Sequence, residues 1–476
     1  MKLLLTLNTM SSKTNRIASI DMLRGIAIVG MILCANIGFN SNLPAWMFHA
    51  QTPPPTYAFN PSVAGITWVD LVFPFFLFPM GAAFPLAMRK RLESGQSRWA
   101  VAGSLVKRWL ILTVFALALG NAYAIWGTAR PGWQVYVYFI AVWAAMFLSL
   151  VRIQNPSGAE GWKQHIGAAV NLCGAVMLTA MAFVHSRWFG IPLDKGLCDI
   201  IIMILANVAL WGGLIWMFTK DNIRLRWLIF LLTAAFKALD SYVPEALSFV
   251  PSCGRISWFF SWEWLQYLLI AIPGSIVGDM ILKHSRSGEK IALGRKETYA
   301  GWIAMAAVLV QLWGLFTRHV LADFVISALM AAAFAALTWK RRNVFSSTAL
   351  IGFGLMLAGI ALDPVDGGIT KDYCNLSYVF TTGGMAALTT SFLLMLEIRS
   401  GIKGRFLAGT GQNPMIAYTV TTFLIGPVLN LLGILPLLGG LAEGSQFWGV
   451  AQGVIITFIM MCITYAFTRL RLFWRS

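Results

Sequence analysis

Asn36, His49, Asp70 and Glu263 are the side chains whose types could do acid–base chemistry together. A neutral imidazole can take a proton from an incoming amine or hydroxyl, and a carboxylate can orient the ring and stabilise the imidazolium that forms. An amide such as Asn36 can hydrogen-bond a polarised carbonyl oxygen. The plainer readings are a polar surface histidine for His49 and a helix cap or dipole partner for Asp70. The chain carries no GxSxG elbow, Walker loop, HExxH helix or Cys/His cluster. Hydrolase, ATPase and metalloenzyme chemistry therefore lose support, and no metal is expected.

The elements that must position these residues are membrane helices. Of the 476 residues 58% are hydrophobic and only 12% charged, with mean hydropathy +0.71, whereas soluble domains are about a quarter charged. Apolar runs approaching the roughly 20 residues needed to span a bilayer recur along the chain. They cover 23–39, 66–88, 108–126, 133–151, 165–185, 198–218, 227–242, 262–282, 299–317, 322–339, 348–362, 376–397, 413–433 and 447–469. The expectation is an all-α polytopic transmembrane bundle of about 14 helices (about 12–14). It forms one domain over 1–476, with 1–22 a cytoplasmic segment and 40–65 an outer loop. The short apolar stretch Leu3–Leu7, with no small-residue cleavage site after it, is too little for a signal peptide.

Charge fixes the expected topology, because Lys and Arg gather on the cytoplasmic side of membrane helices. With both termini cytoplasmic, all of the 36 basic residues fall inside except seven: Arg130, Arg187, Lys195, Lys237, Arg255, Arg318 and Lys371. The net charge of +17 thus reflects topology, and no nucleic acid is expected, since the basic residues punctuate apolar runs instead of lining one soluble face. This topology puts Asn36 at the outer end of the first helix, His49 in the next outer loop, Asp70 one turn into the second helix and Glu263 at the start of the eighth. Of the five histidines only His49, His185 and His319 lie outside, which narrows the choice of base. Long outer segments at 40–65, 242–261 and 363–375 offer places where a site can be assembled. The six cysteines have no CxxC spacing; Cys253 and Cys374 fall in outer loops, where a disulfide could form.

Two further pairs carry charge inside apolar runs. Asp21 and Arg24 can pair at the inner end of the first helix, or Arg24 can hold a phosphate of a cytoplasmic donor. Lys237 and Asp240, three residues apart, read as an internal ion pair.

The run Arg16-Ile-Ala-Ser-Ile-Asp-Met-Leu-Arg-Gly25, followed by Asp70-Leu-Val-Phe-Pro-Phe-Phe-Leu-Phe78, resembles the heparan-alpha-glucosaminide N-acetyltransferase family and its bacterial relatives. Weaker similarity extends to Asn375–Gly384 and Gly411–Tyr418. The resemblance implies a transmembrane acyltransferase that takes an acetyl group from cytoplasmic acetyl-CoA and delivers it to an amine or hydroxyl of a sugar or glycan across the membrane. It implies that His49, Asp70 and Asn36 are catalytic, matching the depth argument. The nucleotide is then expected near Arg24, Arg89, Arg341 and Asn413, and the acceptor near Glu263 and Lys371. Partners are the lipid bilayer, acyl-CoA and the extracytoplasmic acceptor, with a homodimer admitted as the assembly, in a bacterial inner membrane. The sequence departs from the family at Gln51-Thr52 and the proline run after His49-Ala50, at Trp133–Tyr136, and in extra helices around Cys198–Tyr242. The rival expectation is a secondary transporter of a small polar or sugar-like substrate, since many helices with buried charges suit that class.

Overall fold

The apolar runs fold as helices because a backbone in hydrocarbon must satisfy its own N–H and C=O groups. The computed structural model describes residues 17–39, 42–127, 132–153, 162–243, 261–288 and 291–474. The helices are α1 (Ala18–Asn36), α2 (Trp68–Glu93), α3 (Arg98–Ala124), α4 (Trp133–Leu150), α5 (Trp162–Trp188), α6 (Ile200–Thr219), α7 (Ile223–Tyr242), α8 (Trp262–Leu265), α9 (Leu268–Ser287), α10 (Arg295–Phe316), α11 (Val320–Thr338), α12 (Val344–Leu362) and α13 (Leu376–Ser400). The chain then breaks into shorter pieces, α14 (Arg405–Gln412), α15 (Pro414–Val420), α16 (Gly426–Leu431) and α17 (Ile434–Ala442), before the long α18 (Gln446–Arg469). A π-helical stretch, Thr421–Ile425, joins α15 to α16.

Thirteen stretches among the described residues are helical, long and apolar enough to cross a bilayer. The remaining expected span, α7, is a helix of 20 residues but carries Arg224, Arg226, Lys237 and Asp240. Its contacts nevertheless run the depth of the bundle. Arg226 bonds Asp279 near the C-terminal end of α9, while Lys237 and Tyr242 reach Tyr373 and Asp366 in the loop before α13.

Among the described residues one departure from an all-α fold occurs. Val151–Ile153 (β1) pairs antiparallel with Leu472–Trp474 (β2), a short ribbon that uses the backbone edges left free where α4 and α18 end.

Small residues let the central helices approach closely, as membrane interfaces require. A Cβ on Gly81 would lie 2.0 Å from the Ala271 carbonyl, and one on Gly274 2.2 Å from that of Phe78, so α2 and α9 meet backbone to backbone. Burial separates centre from edge: 83% of the α13 span and 72% of α2 are buried, against 17% of α11 and 6% of α5. The helix that carries Asp70 is therefore central, whereas α5 and α11 face lipid.

Candidate functional site

His49 is presented by a loop clamped on both sides. Its neighbour Phe48 is buried and stacks among Phe39 and Tyr57, with ring centroids 5.1 to 5.6 Å apart. The Phe48 carbonyl accepts from Thr67 Oγ1 at 2.7 Å, tying the loop to the start of α2. Gln51, buried two residues on, donates from Nε2 to the carbonyls of Val63 and Gly65 at 2.9 and 3.3 Å. The departure at Gln51 thus closes this loop on itself.

Asp70 divides its two oxygens between structure and chemistry. Thr67 caps α2, and Asp70, three residues later, reaches back so that Oδ2 accepts the Thr67 N–H at 2.9 Å. Oδ2 also lies 3.5 Å from the Ala50 N–H. That leaves Oδ1, 2.6 Å from His49 Nδ1. The Asp70 side chain is fully buried, whereas the His49 side chain is 35% exposed. A carboxylate oxygen at this distance accepts the proton of Nδ1, which leaves Nε2 with a lone pair. The plain reading of Asp70 as a cap and the chemical one are both satisfied, one oxygen each.

A second loop brings a cation to the same ring. Lys371 Nζ lies 3.4 Å from His49 Nδ1. Its loop is anchored by Arg318, which grips Asp363 through two bonds of 2.9 and 2.7 Å, while Asp363 Oδ2 also accepts the Ile369 N–H at 2.7 Å. Ile369 returns the tie across to the His49 loop by accepting the Gly65 N–H at 2.8 Å. Gly368, at φ +112°, sits where a Cβ would be 2.5 Å from that of Ala64, so only glycine allows this docking. Asn375, the cap of α13, holds the far end of the loop through Gly368 O and Thr370 N–H. The ring nitrogen has two alternatives: protonated, it donates to Asp70; unprotonated, it accepts from Lys371.

The other expected site residues do not join this group. Asn36 turns back on its own helix, donating to Ile32 O at 2.7 Å, because a side-chain amide can reach the carbonyl one turn earlier on the same helix. Glu263 is exposed at the first turn of α8, with no side-chain contact to His49 among the described residues. Arg24 donates to Asp21 at 3.3 Å and to the Pro79 carbonyl at 2.9 Å, and it lies near enough to Arg108 for the two charges to repel. Arg89 belongs to a separate cluster at the other end of α2 with Glu93, Asp221 and Asp279. Arg341 faces Glu297 at 4.0 Å beyond the end of α11. The buried Asn413 amide is committed to β2, donating to Leu472 O at 2.8 Å and accepting from Trp474 N–H at 3.1 Å. The four residues expected around a nucleotide are thus not one cluster. The Lys237–Asp240 pair forms at 3.5 Å. Cys374 is a buried free thiol, and Cys253 lies outside the described residues.

Thr67 and Tyr378 are members of the site that residue type alone does not flag. Tyr378, buried in the first turn of α13, donates its hydroxyl to the Asp70 carbonyl at 2.8 Å. Thr67 shows a readable signal, a cap followed three residues later by an acid. Tyr378 shows none locally, since it meets Asp70 only through the packing of α13 on α2.

Stretches of the chain are 32% identical over 113 residues to heparan-alpha-glucosaminide N-acetyltransferase of Mus musculus and to that of Homo sapiens. The matched stretch is 24% of this chain and spans only 15% of the length of each of those proteins, which marks a distant relationship. Residues 16–281, containing α1, α2 and the His49–Asp70 pair, match the model of a domain of unknown function, DUF5009. The match takes in more than half of the 476 residues, and the chain is a member of the DUF5009 family.

Proposed function

We propose that the protein is a transmembrane acyltransferase, with an acyl-CoA as donor and an amine or hydroxyl of an extracytoplasmic sugar as acceptor. The observation that carries this is the 2.6 Å contact of buried Asp70 with the Nδ1 of a partly exposed histidine, which leaves Nε2 free to act as a base. The distant relationship to an N-acetyltransferase supports the same class.

In this reading the acceptor attacks the thioester carbon while His49 Nε2 takes its proton, and the CoA thiolate leaves. Asp70 stabilises the imidazolium, and the Lys371 ammonium supplies positive charge for the oxyanion. Direct transfer and a covalent acyl-histidine both use these groups. Asn36 would need another rotamer before its amide met a carbonyl.

Both termini are placed on the cytoplasmic side, in a bacterial inner membrane, with His49 on the far side. The donor then enters from the end of α2 that holds Arg89. There Arg89, Arg98 and Lys220 line a cavity of about 390 Å³ together with Glu93, so a nucleotide's phosphates would displace Glu93 and Asp221 from Arg89 and Lys220. Arg24 lies part-way along the path: it bonds the carbonyl of Pro79, about 14 Å from Asp70 at the helical rise of about 1.5 Å per residue. An arm passing Arg24 would therefore not need to cross the full bilayer.

The test is acyl transfer by purified protein in nanodiscs, with labelled acetyl-CoA and a panel of sugar amines and alcohols. His49→Ala is expected to lower the rate by about 10²–10⁴-fold, the usual contribution of a positioned base. Wild-type transfer by the variant would refute His49 as the base. Uptake of chemically unchanged sugar into sealed vesicles without acyl-CoA would replace this reading with transport.

A further inference from the structure

Away from α2, the inner ends of α10 and α11 enclose a cavity of about 590 Å³. Its polar rim carries Arg295, Lys296, Lys340 and Arg341. One carboxylate answers them: Glu297, which caps α10 through Gly294 N–H at 2.9 Å and faces Arg341 at 4.0 Å. Arg295, Lys296 and Lys340 have no carboxylate partner among the described residues. The contrast with the cavity beside Arg89 is direct, because there the charges are answered by Glu93, Asp221 and Asp279.

The wall of the α10–α11 cavity is apolar and faces outward. Ala335, Ala336 and Leu337 line it, followed by Trp339, which is 71% exposed and stacks near the Arg342 guanidinium at 5.8 Å. With only 17% of its span buried, α11 stands at the lipid edge of the bundle. A soluble anion would use the cations but gain nothing from the apolar wall or from an interfacial tryptophan.

We infer that this cavity is a binding site for an anionic phospholipid of the adjoining leaflet. Arg295, Lys296 and Lys340 hold the phosphate-bearing headgroup, and an acyl chain lies along Ala335–Leu337. Such basic pockets between membrane helices suit anionic headgroups, and each Lys or Arg near a charged membrane surface contributes attraction. This site is independent of the acyl-transfer reading: Arg295, Lys296 and Lys340, which hold the headgroup, have no part in that reading.

The experiment is native mass spectrometry of the full-length protein, stripped of lipid in detergent and then offered equal amounts of phosphatidylglycerol and phosphatidylcholine. Wild type is expected to retain phosphatidylglycerol preferentially. The double variant Lys296→Ala/Lys340→Ala is expected to retain it about tenfold or more weakly, since each basic residue is worth roughly fivefold at an anionic surface. Arg341 is kept so that the Glu297 contact survives; if the double variant is not monodisperse, Lys340→Ala alone is read the same way. Equal retention by the variant, or no preference by wild type, would overturn the inference. So would displacement of bound phosphatidylglycerol by millimolar inorganic phosphate or coenzyme A, which would make this a site for soluble anions.

Discussion

The two ends of α2, inner and outer in the proposed orientation, both concentrate charge in a membrane protein, but they do so in opposite ways. At the inner end Arg226 is fully buried and donates to Asp279 at 2.6 Å, to Thr219 Oγ1 at 3.0 Å and to Thr219 O at 3.1 Å. Asp279 also accepts from Trp216, and Glu93 is held by Arg286 and Arg89. Each charge there faces an opposite one: Arg226 is met by Asp279 Oδ2, and Asp279 Oδ1, which has no hydrogen bond among the described residues, lies 4.0 Å from Arg89. At the outer end Asp70 is equally buried, but its partner is a titratable ring whose other nitrogen has no partner among the described residues, with a second cation close by. An ion-paired cluster holds helices together; a carboxylate paired with an imidazole can exchange a proton.

The sharpest way to break this contrast is Asp70→Asn at the outer end. The amide keeps an oxygen for the α2 cap but removes the charge that favours Nδ1–H, so Nε2 is no longer reliably the free nitrogen. The transfer rate is expected to fall by about 10²–10⁴-fold, comparable with other orienting carboxylates, with a stability loss of only about 1 kcal/mol from the weakened cap. Steady-state transfer and thermal melting on the same preparation check it. An unchanged rate would mean that the 2.6 Å contact is structural.

Arg226→Ala probes the inner end and should give the reverse pattern. It strands Asp279 with Trp216 as its close donor, a cost of about 3–5 kcal/mol for a broken buried pair. Transfer per folded molecule is expected to stay at the wild-type level. Denaturation in detergent, paired with activity normalised to folded protein, separates the two. If the rate fell as far as in Asp70→Asn without a loss of stability, Arg226 would take part in the transfer and not only in holding α7 to α9.

How much of this contrast is legible in the sequence depends on its range. The helical spans, and with them the position of His49 and Asp70 at one end of the first two helices, follow from local hydropathy, because bilayer thickness constrains helix length. Asp70 alone is ambiguous, a cap or a catalytic carboxylate, and only the geometry shows one oxygen serving each role. Lys371 reads as an outer-side cation, but the clamp that carries it to the ring needs Arg318, Asp363, Gly368 and Asn375 to meet. Asn413 sits in a stretch that resembles an enzyme family, yet its amide spends both ends on a strand 59 residues later in the chain. Such pairings belong to packing, and no periodicity carries them. The α7 helix shows the converse: its apolar run reads as a span, but its charges keep it outside the thirteen helices apolar enough to cross a bilayer, and they are spent on partners toward both of its ends.

The smallest expected effect bears on whether the outer site is rigid. Cys374 closes the loop that carries Lys371, and burial pushes its thiol up to about 12. The thiolate is the reactive form, so at pH 8 Cys374 should remain neutral as well as covered. Alkylation by a maleimide, read by peptide mass spectrometry, should leave Cys374 unmodified in folded protein and modify it once detergent is replaced by denaturant. Labelling should rise only as the pH climbs toward that of the thiol's own ionisation. If Cys374 reacted readily at pH 8 in folded protein, the loop over 363–375 would be opening, and Lys371 would visit His49 instead of being held there. The outer end of α2 would then owe its reactivity to Asp70 and His49 alone, and Lys371 would become a residue that arrives with the acceptor.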